Sequence, residues 1–228
     1  MKIFPPPSAN STAKPAEKPP RAPNARSPAL PKGKPHAKLP GEIRIIGGLY
    51  KRTKLPVPDR PGLRPTPDRV RETLFNWLGQ NLSGWRCLDA FAGSGALGFE
   101  AASRDAAEVV LIERDHVLAR SLVESKARLK ADVLQVECAD ALAWMQRCAP
   151  QAFELVFIDP PFDAELTAPA LKAAARVAVA DGFVYLEASR SFDDSVLQPL
   201  GFRLHRHARA GAVHFHLLQR VAHDYTAL

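Results

Sequence analysis

The chain has 228 residues, enough for one domain with length to spare, and 46% of them are hydrophobic, which supplies a core. No apolar run approaches the ~20 residues that span a bilayer, and the opening MKIFPPPSAN lacks an apolar h-region, so neither a membrane span nor a secretory signal is expected. Cys87, Cys138 and Cys148 are odd in number and show no C-x-x-C spacing; zinc and disulfides are not expected, no metal site is assigned, and a reducing cytoplasmic compartment fits best.

Residues 1–40 hold eight Lys/Arg against Glu17 alone, a surplus of seven that equals the net charge of the whole protein, together with 11 of the 21 prolines. Such a segment cannot bury enough apolar surface to offset its chain entropy and is read as a disordered basic tail. Two uses stay open, an electrostatic arm for a polyanion and an inert leader or mitochondrial presequence, although the prolines oppose the helix a presequence needs. Residues 41–71 carry eight Lys/Arg against Glu42, Asp59 and Asp68, whereas residues 72–228 carry 15 against 20 acids. Basic charge is thus confined to the front, and a nucleic acid gripped from the N-terminal side is expected.

From Ile43, IRIIGGLYKRTKLPV reads as two short strands around Gly47-Gly48, a basic hairpin ribbon (41–65) carrying Lys51, Arg52 and Lys54. RPTPDRVRETLFNWL then predicts a helix within 66–82, with Thr66 as N-cap, Pro67 at its first position and Val70, Leu74, Trp77 and Leu78 at helical spacing. Arg69 and Arg71 are expected off that apolar face, either solvated or available to phosphates.

After Gly84, apolar strand candidates at 85–89, 108–113, 132–137, 153–158 and 182–188 alternate with helical stretches near 96–103, 116–130, 140–148, 164–179 and 192–199. Strand–helix alternation with apolar strands predicts an α/β fold, a doubly wound and mostly parallel sheet over 85–220. FRLHRHARAGAVHFHLLQR closes the chain as two alternating strands joined through Ala210-Gly211, an antiparallel hairpin. Pairing His207 with His214 would gather His205, His207, His214 and His216 on one face, but with no carboxylate or cysteine in register a polar outer face is the preferred reading.

The first of these strands runs into CLDAFAGSGALGFEAASR. Gly93, Gly95 and Gly98 spell G-x-G-x-x-G, and Glu113 follows 20 positions after Gly93, where a ribose ligand belongs. A dinucleotide site receives a pyrophosphate at that turn, yet Asp89 ends the strand there and would repel one. A carboxylate suits a cofactor carrying positive charge, and S-adenosyl-L-methionine carries both an ammonium and a sulfonium. A purely structural glycine turn is the remaining alternative. Downstream, LVFIDPPFDAEL delivers Asp159-Pro160-Pro161-Phe162 to the carboxyl end of a strand beside the crevice where doubly wound folds bind ligands. The prolines fix the backbone, the Asp159 carboxylate and Pro160 carbonyl can accept from an exocyclic amine, and Phe162 offers a stacking face for an extruded base. The tetrapeptide points to amine methylation more than to any one substrate.

Taken in order, RIIGG, LRPTPDRVRETLFN, LDAFAGSGALGFEAASR, LIERD, FIDPPF and VYLEAS resemble the bacterial 16S ribosomal RNA guanine-N2 methyltransferases over about residues 43–220. The resemblance implies a seven-stranded, Rossmann-like class I methyltransferase sheet and methylation of a guanine N2 amine in 16S rRNA, free or in a small-subunit assembly particle, by a cytoplasmic monomer. It places Thr66, Asp89, Phe91, Gly93, Gly95, Glu113, Arg114, Asp140 and Ala141 around the cofactor and Asp159 to Phe162 at the target base. It turns Arg64 and the following helix toward RNA, beside Lys51, Arg52, Lys54, Arg69 and Arg71. The family's usual Ser-Arg-Gly-Ala stands here as Ser103-Arg104-Asp105-Ala106, and the long leader is not inherited. Rival readings are a DNA adenine-N6 or protein-glutamine methyltransferase, for which the first lacks room for a target-recognition region, and a non-enzymatic RNA-binding assembly factor.

Overall fold

The computed structural model describes residues 41–161 and 164–221. The 1–40 tail and Phe162 lie outside the described residues. Nine strands and six helices follow one another as β1 (Glu42–Arg44), β2 (Lys54–Pro56), α1 (Asp68–Trp77), β3 (Arg86–Asp89), α2 (Ala96–Ser103), β4 (Glu108–Glu113), α3 (His116–Leu129), β5 (Leu134–Cys138), α4 (Ala141–Arg147), β6 (Phe153–Ile158), α5 (Ala164–Val177), β7 (Ala178–Ala188), α6 (Asp194–Leu197), β8 (Phe202–Ala210) and β9 (Val213–Arg220). Seven strands form one sheet in the order β5-β4-β3-β6-β7-β9-β8. The first five pair in parallel, while β9 runs antiparallel to both β7 and β8. This is the doubly wound sheet with a closing hairpin that the alternation predicts. The interiors of its central strands are apolar on both faces, Cys87-Leu88, Val109 to Ile112 and Leu155 to Ile158, because both faces are covered.

The front of the chain departs from expectation. β1 and β2 pair antiparallel, but Gly47-Gly48 is not their turn. Residues 45–53 instead lie on α2: the Ile46 and Gly47 N–H groups donate to the two Glu100 oxygens at 2.9 Å each. A Cβ on Gly48, whose φ is +70°, would stand 1.6 Å from the Ser103 carbonyl oxygen, so the glycine serves close approach.

Glu100 is fully buried, and two guanidiniums balance it, Arg71 at 3.1 Å and Arg104 at 2.8 Å. Arg71 is itself fully buried, pairs with Asp68 at 2.6 Å and donates to the Thr66 and Arg44 carbonyls. It ties α1 and the ribbon to α2 and is unavailable to phosphates, which corrects the RNA-contact expectation. Positions 71, 74, 75 and 78 share the buried face of α1, so Arg71 sits on that face, not off it. Thr66 is also not the expected cap. Pro67 precedes the first helical residue, no side chain caps the helix, and Thr66 turns inward.

Two corrections concern the closing hairpin. Its turn is Gly211-Ala212, with Ala210 paired to Val213, one residue later than expected. A register shift between Leu204 and Arg206 puts His207 opposite His216 and turns His205 away to pack its ring on Phe183. Three imidazoles therefore gather, not four. His216 is committed: its Nε2 accepts from the Phe192 N–H, and its Nδ1 faces the Leu186 carbonyl.

Candidate active site

A cleft of about 280 Å³ opens outside the carboxyl ends of β3, β4, β5 and β6, at the point where the chain's crossovers diverge to either side of β3. Its walls include Thr66, Asp89, Phe91, Gly93, Glu113, Arg114, Asp140, Ala141, Asp159, Pro160 and Pro161, with Arg60 and Leu63 from the segment before α1. Among the expected cofactor contacts Gly95 alone is missing from the wall. At φ +79° its absent Cβ makes room for Leu122 and Phe99, which is a packing role. Lys51, Arg52, Lys54 and Arg69 are exposed and outside the cleft, and Lys54 pairs with Glu42 at 2.7 Å.

Asp89 ends β3 against the first turn of α2, where the Gly98 N–H donates to its Oδ2 at 2.9 Å. A Cβ on Gly98 would meet Leu111 at 2.6 Å and that oxygen at 3.2 Å, so only glycine lets helix and strand close this tightly. Burial pushes the Asp89 carboxyl up to about 7, with a further push from the Glu113 charge; the Gly98 and Phe91 N–H groups pull the other way. Glu113, at the end of β4, accepts from Gly93 N–H at 2.9 Å and Asp115 N–H at 2.7 Å, fixing the glycine turn to the next strand. Arg60 pairs with Asp115 at the rim. Asp140 caps α4 through the Ala143 N–H at 2.9 Å.

Asp159 follows β6, the strand beside β3. Burial holds its carboxyl well above the usual carboxylate range, the Glu187 and Asp89 charges add to this, and a hydrogen bond with the Thr66 side chain opposes it. Glu187, near the end of β7, is likewise raised by burial and eased by hydrogen bonds from Tyr185 and Thr66. The Tyr185 hydroxyl donates to Glu187 Oε1 at 2.8 Å. Asp159, Glu187, Tyr185 and Thr66 thus form one buried polar group joining β6, β7 and the residue before α1. Sequence reading assigned no role to Glu187 or Tyr185. Their alternate spacing on a strand after Asp-Pro-Pro was the available signal, since i and i+2 share a face. Five carboxyl groups, of Asp89, Glu113, Asp115, Asp140 and Asp159, line the cleft, a setting that disfavours a pyrophosphate and favours a cationic ligand.

This strand order, with an acid ending its first strand and a cleft at the switch point, defines a Rossmann-like class I methyltransferase fold. Residues 43–219 match the family model described as Conserved hypothetical protein 95. The small-subunit ribosomal RNA methyltransferase D of Escherichia coli K12 is 44% identical over 195 residues, 83% of this chain and 96% of that protein. Its Haemophilus influenzae namesake is 39% identical over 81% and 96%. A solved Escherichia coli structure superposes with TM-score 0.69 at 42% identity, covering 80% of this chain and 99% of that one. An S-adenosylmethionine-dependent methyltransferase from Aquifex aeolicus shares the fold at TM-score 0.54 and 16% identity. The chain belongs to the Conserved hypothetical protein 95 family, as do its matched residues throughout the cleft.

Proposed function

We propose that this protein is an S-adenosylmethionine-dependent methyltransferase that modifies the exocyclic N2 amine of a guanine in 16S rRNA. The observation that carries the reading is the juxtaposition of Asp89 and the Gly93 turn with Asp159-Pro160-Pro161 in one acidic cleft. The name of the Escherichia coli relative supports rRNA as the substrate.

The residues lining the cleft fit the cofactor: Asp89 would hold its ammonium, Glu113 its ribose hydroxyls, and Asp140 and Ala141 its adenine. Bound there, S-adenosylmethionine supplies an electrophilic methyl group on a sulfonium. Asp159 accepts hydrogens of the guanine amine and holds the nitrogen lone pair toward the cofactor side of the cleft. Once it carries the methyl group, the amine nitrogen would shed a proton. The Asp159–Glu187 pair is a buried base able to take it, and Tyr185 and Thr66 hold that pair in place. Phe162 supplies the stacking face.

Incubating the protein with small-subunit particles or deproteinised 16S rRNA and labelled S-adenosylmethionine, followed by nucleotide-resolved mapping, tests this reading. The expected product is N2-methylguanine at one position. Methyl groups on adenine or on protein glutamine would replace the guanine assignment, and heat from NAD but not from S-adenosylhomocysteine on titration would replace the cofactor.

A further inference from the structure

The sequence places basic charge at the front of the chain, yet three of the eight cations in residues 41–71, Lys54, Arg60 and Arg71, are paired in the fold. Lys54 meets Glu42, Arg60 meets Asp115, and Arg71 and Arg104 meet Glu100. The reverse holds at the closing hairpin. Strands β8 and β9 contain no Asp or Glu. Among the described residues no carboxylate pairs with Arg190, Arg206 or Arg209. The net acidity of residues 72–228 hides this local surplus.

Sheet topology puts that surplus beside the reaction. Ile158 pairs with Leu186 and Ala188 with His214, which in turn faces Arg209. The hairpin turn at Gly211-Ala212 therefore projects from the same end of the sheet as Asp159. Strand β8 lies three strand spacings from β6, about 14 Å at ~4.8 Å each. The cofactor side of the cleft lies the other way, over β4 and β5, so β7, β9 and β8 are the side from which a target nucleotide's neighbours must approach.

The surface is also stiff. His207, exposed, stacks on His214 (5.2 Å between ring centroids) and on the buried His216 (4.6 Å), and His214 is paired across the strands with Arg209. Arg190 lies 4.6 Å over the Phe192 ring, which itself packs on His216. Arg209 uses one N–H on the Gly211 carbonyl, which holds its guanidinium fork at the tip, on the same sheet face as His207; Arg206, opposite Leu217, points from the other face. Guanidiniums so arranged are phosphate donors.

We propose that the tip of the β8–β9 hairpin, together with Arg190, is a second RNA contact surface that receives backbone phosphates flanking the target nucleotide. This rests on the rRNA reading of the cleft. One competing explanation is physical: charges on an edge strand also prevent edge-to-edge aggregation. Charge reversal separates the two, because glutamates protect an edge as well as arginines do but repel phosphate.

The test compares wild type with R190E/R209E and R190A/R209A, measuring binding to deproteinised 16S rRNA and to small-subunit particles across a salt series. S-adenosylhomocysteine affinity and melting temperature serve as controls. The alanine pair should reduce the slope of log affinity against log salt by roughly 1.4 units, at ~0.7 per phosphate on single strands. The glutamate pair should weaken binding further, with both controls unchanged. Slopes and affinities equal to wild type in the glutamate pair would overturn the proposal in favour of edge protection. A loss confined to particles would overturn it in favour of a ribosomal protein as the partner. If wild type fails to methylate rRNA while the slope still drops on mutation, the surface stands and the rRNA reading of the cleft falls.

Discussion

Asp89 and Asp159 close adjacent strands, face one cleft and are both pushed toward the protonated form by burial, yet they are held in opposite ways. Asp89 is held by main chain, the N–H groups of Gly98 and Phe91. Asp159 is held by side chains, Thr66 directly and Glu187 through its charge. A carboxylate fixed by backbone keeps its geometry through almost any mutation around it and suits a fixed cationic ligand. One held by side chains can exchange protons and partners during a reaction.

Truncation gives the largest expected contrast. Asp159→Ala should lose on the order of 10²-fold or more in single-turnover methyl transfer to rRNA, the scale of one preorganised polar contact, while Asp159→Asn keeps measurable activity. Both should bind S-adenosylhomocysteine as wild type does. Equal abolition by Asn and Ala would instead make proton abstraction by Asp159 a requirement of the attack itself. Asp89→Asn should do the reverse: about 10-fold weaker S-adenosylhomocysteine binding by calorimetry, from a lost charge-assisted bond of ~1.5–3 kcal/mol, with the saturated rate nearly intact.

Titration sharpens the contrast further. With its carboxyl near 7 in the free protein, Asp89 is protonated below that pH. An ammonium ligand binds the ionised form, so binding below pH 7 must release a proton. S-adenosylhomocysteine affinity should therefore rise from pH 5.5 to about 7 and then level off, by up to tenfold per pH unit, and Asp89→Asn should flatten that rise. The smallest effect belongs to Glu187→Gln. Removing its charge lowers the Asp159 carboxyl, so the acid limb of the single-turnover rate should move to lower pH while the pH dependence of cofactor-product binding stays put. A shift in the binding profile instead would mean that the two acids are not separately held.

Much of this arrangement was readable from the chain. The period-two and period-3.6 stretches locate β4, β6 and α2 to the residue, because parallel strands buried on both faces read as unbroken apolar runs. The Asp89 and Asp159 positions follow from motifs ending such runs. What was not readable depends on partners far apart in sequence. Arg71 looks like a surface cation until Glu100, 29 residues on, is seen facing it. Glu187 acquires a role only when β7 is laid beside β6, and His205 leaves its neighbours because a single-residue bulge reverses strand alternation. Asp105 is a milder case: it adopts φ +68°, the left-handed conformation that glycine takes freely and that aspartate tolerates better than most residues.

The docking of the ribbon on Glu100 has a consequence for how the molecule opens. The paired part of the ribbon is only three residues per strand, too little to persist by itself. Its Ile46 and Gly47 amides find their acceptor on a helix more than fifty residues away, so the ribbon forms only after α2 is in place. Those two amides should exchange with deuterium together, at one free energy well below that of the central strands, as the front lifts off while the sheet stays closed.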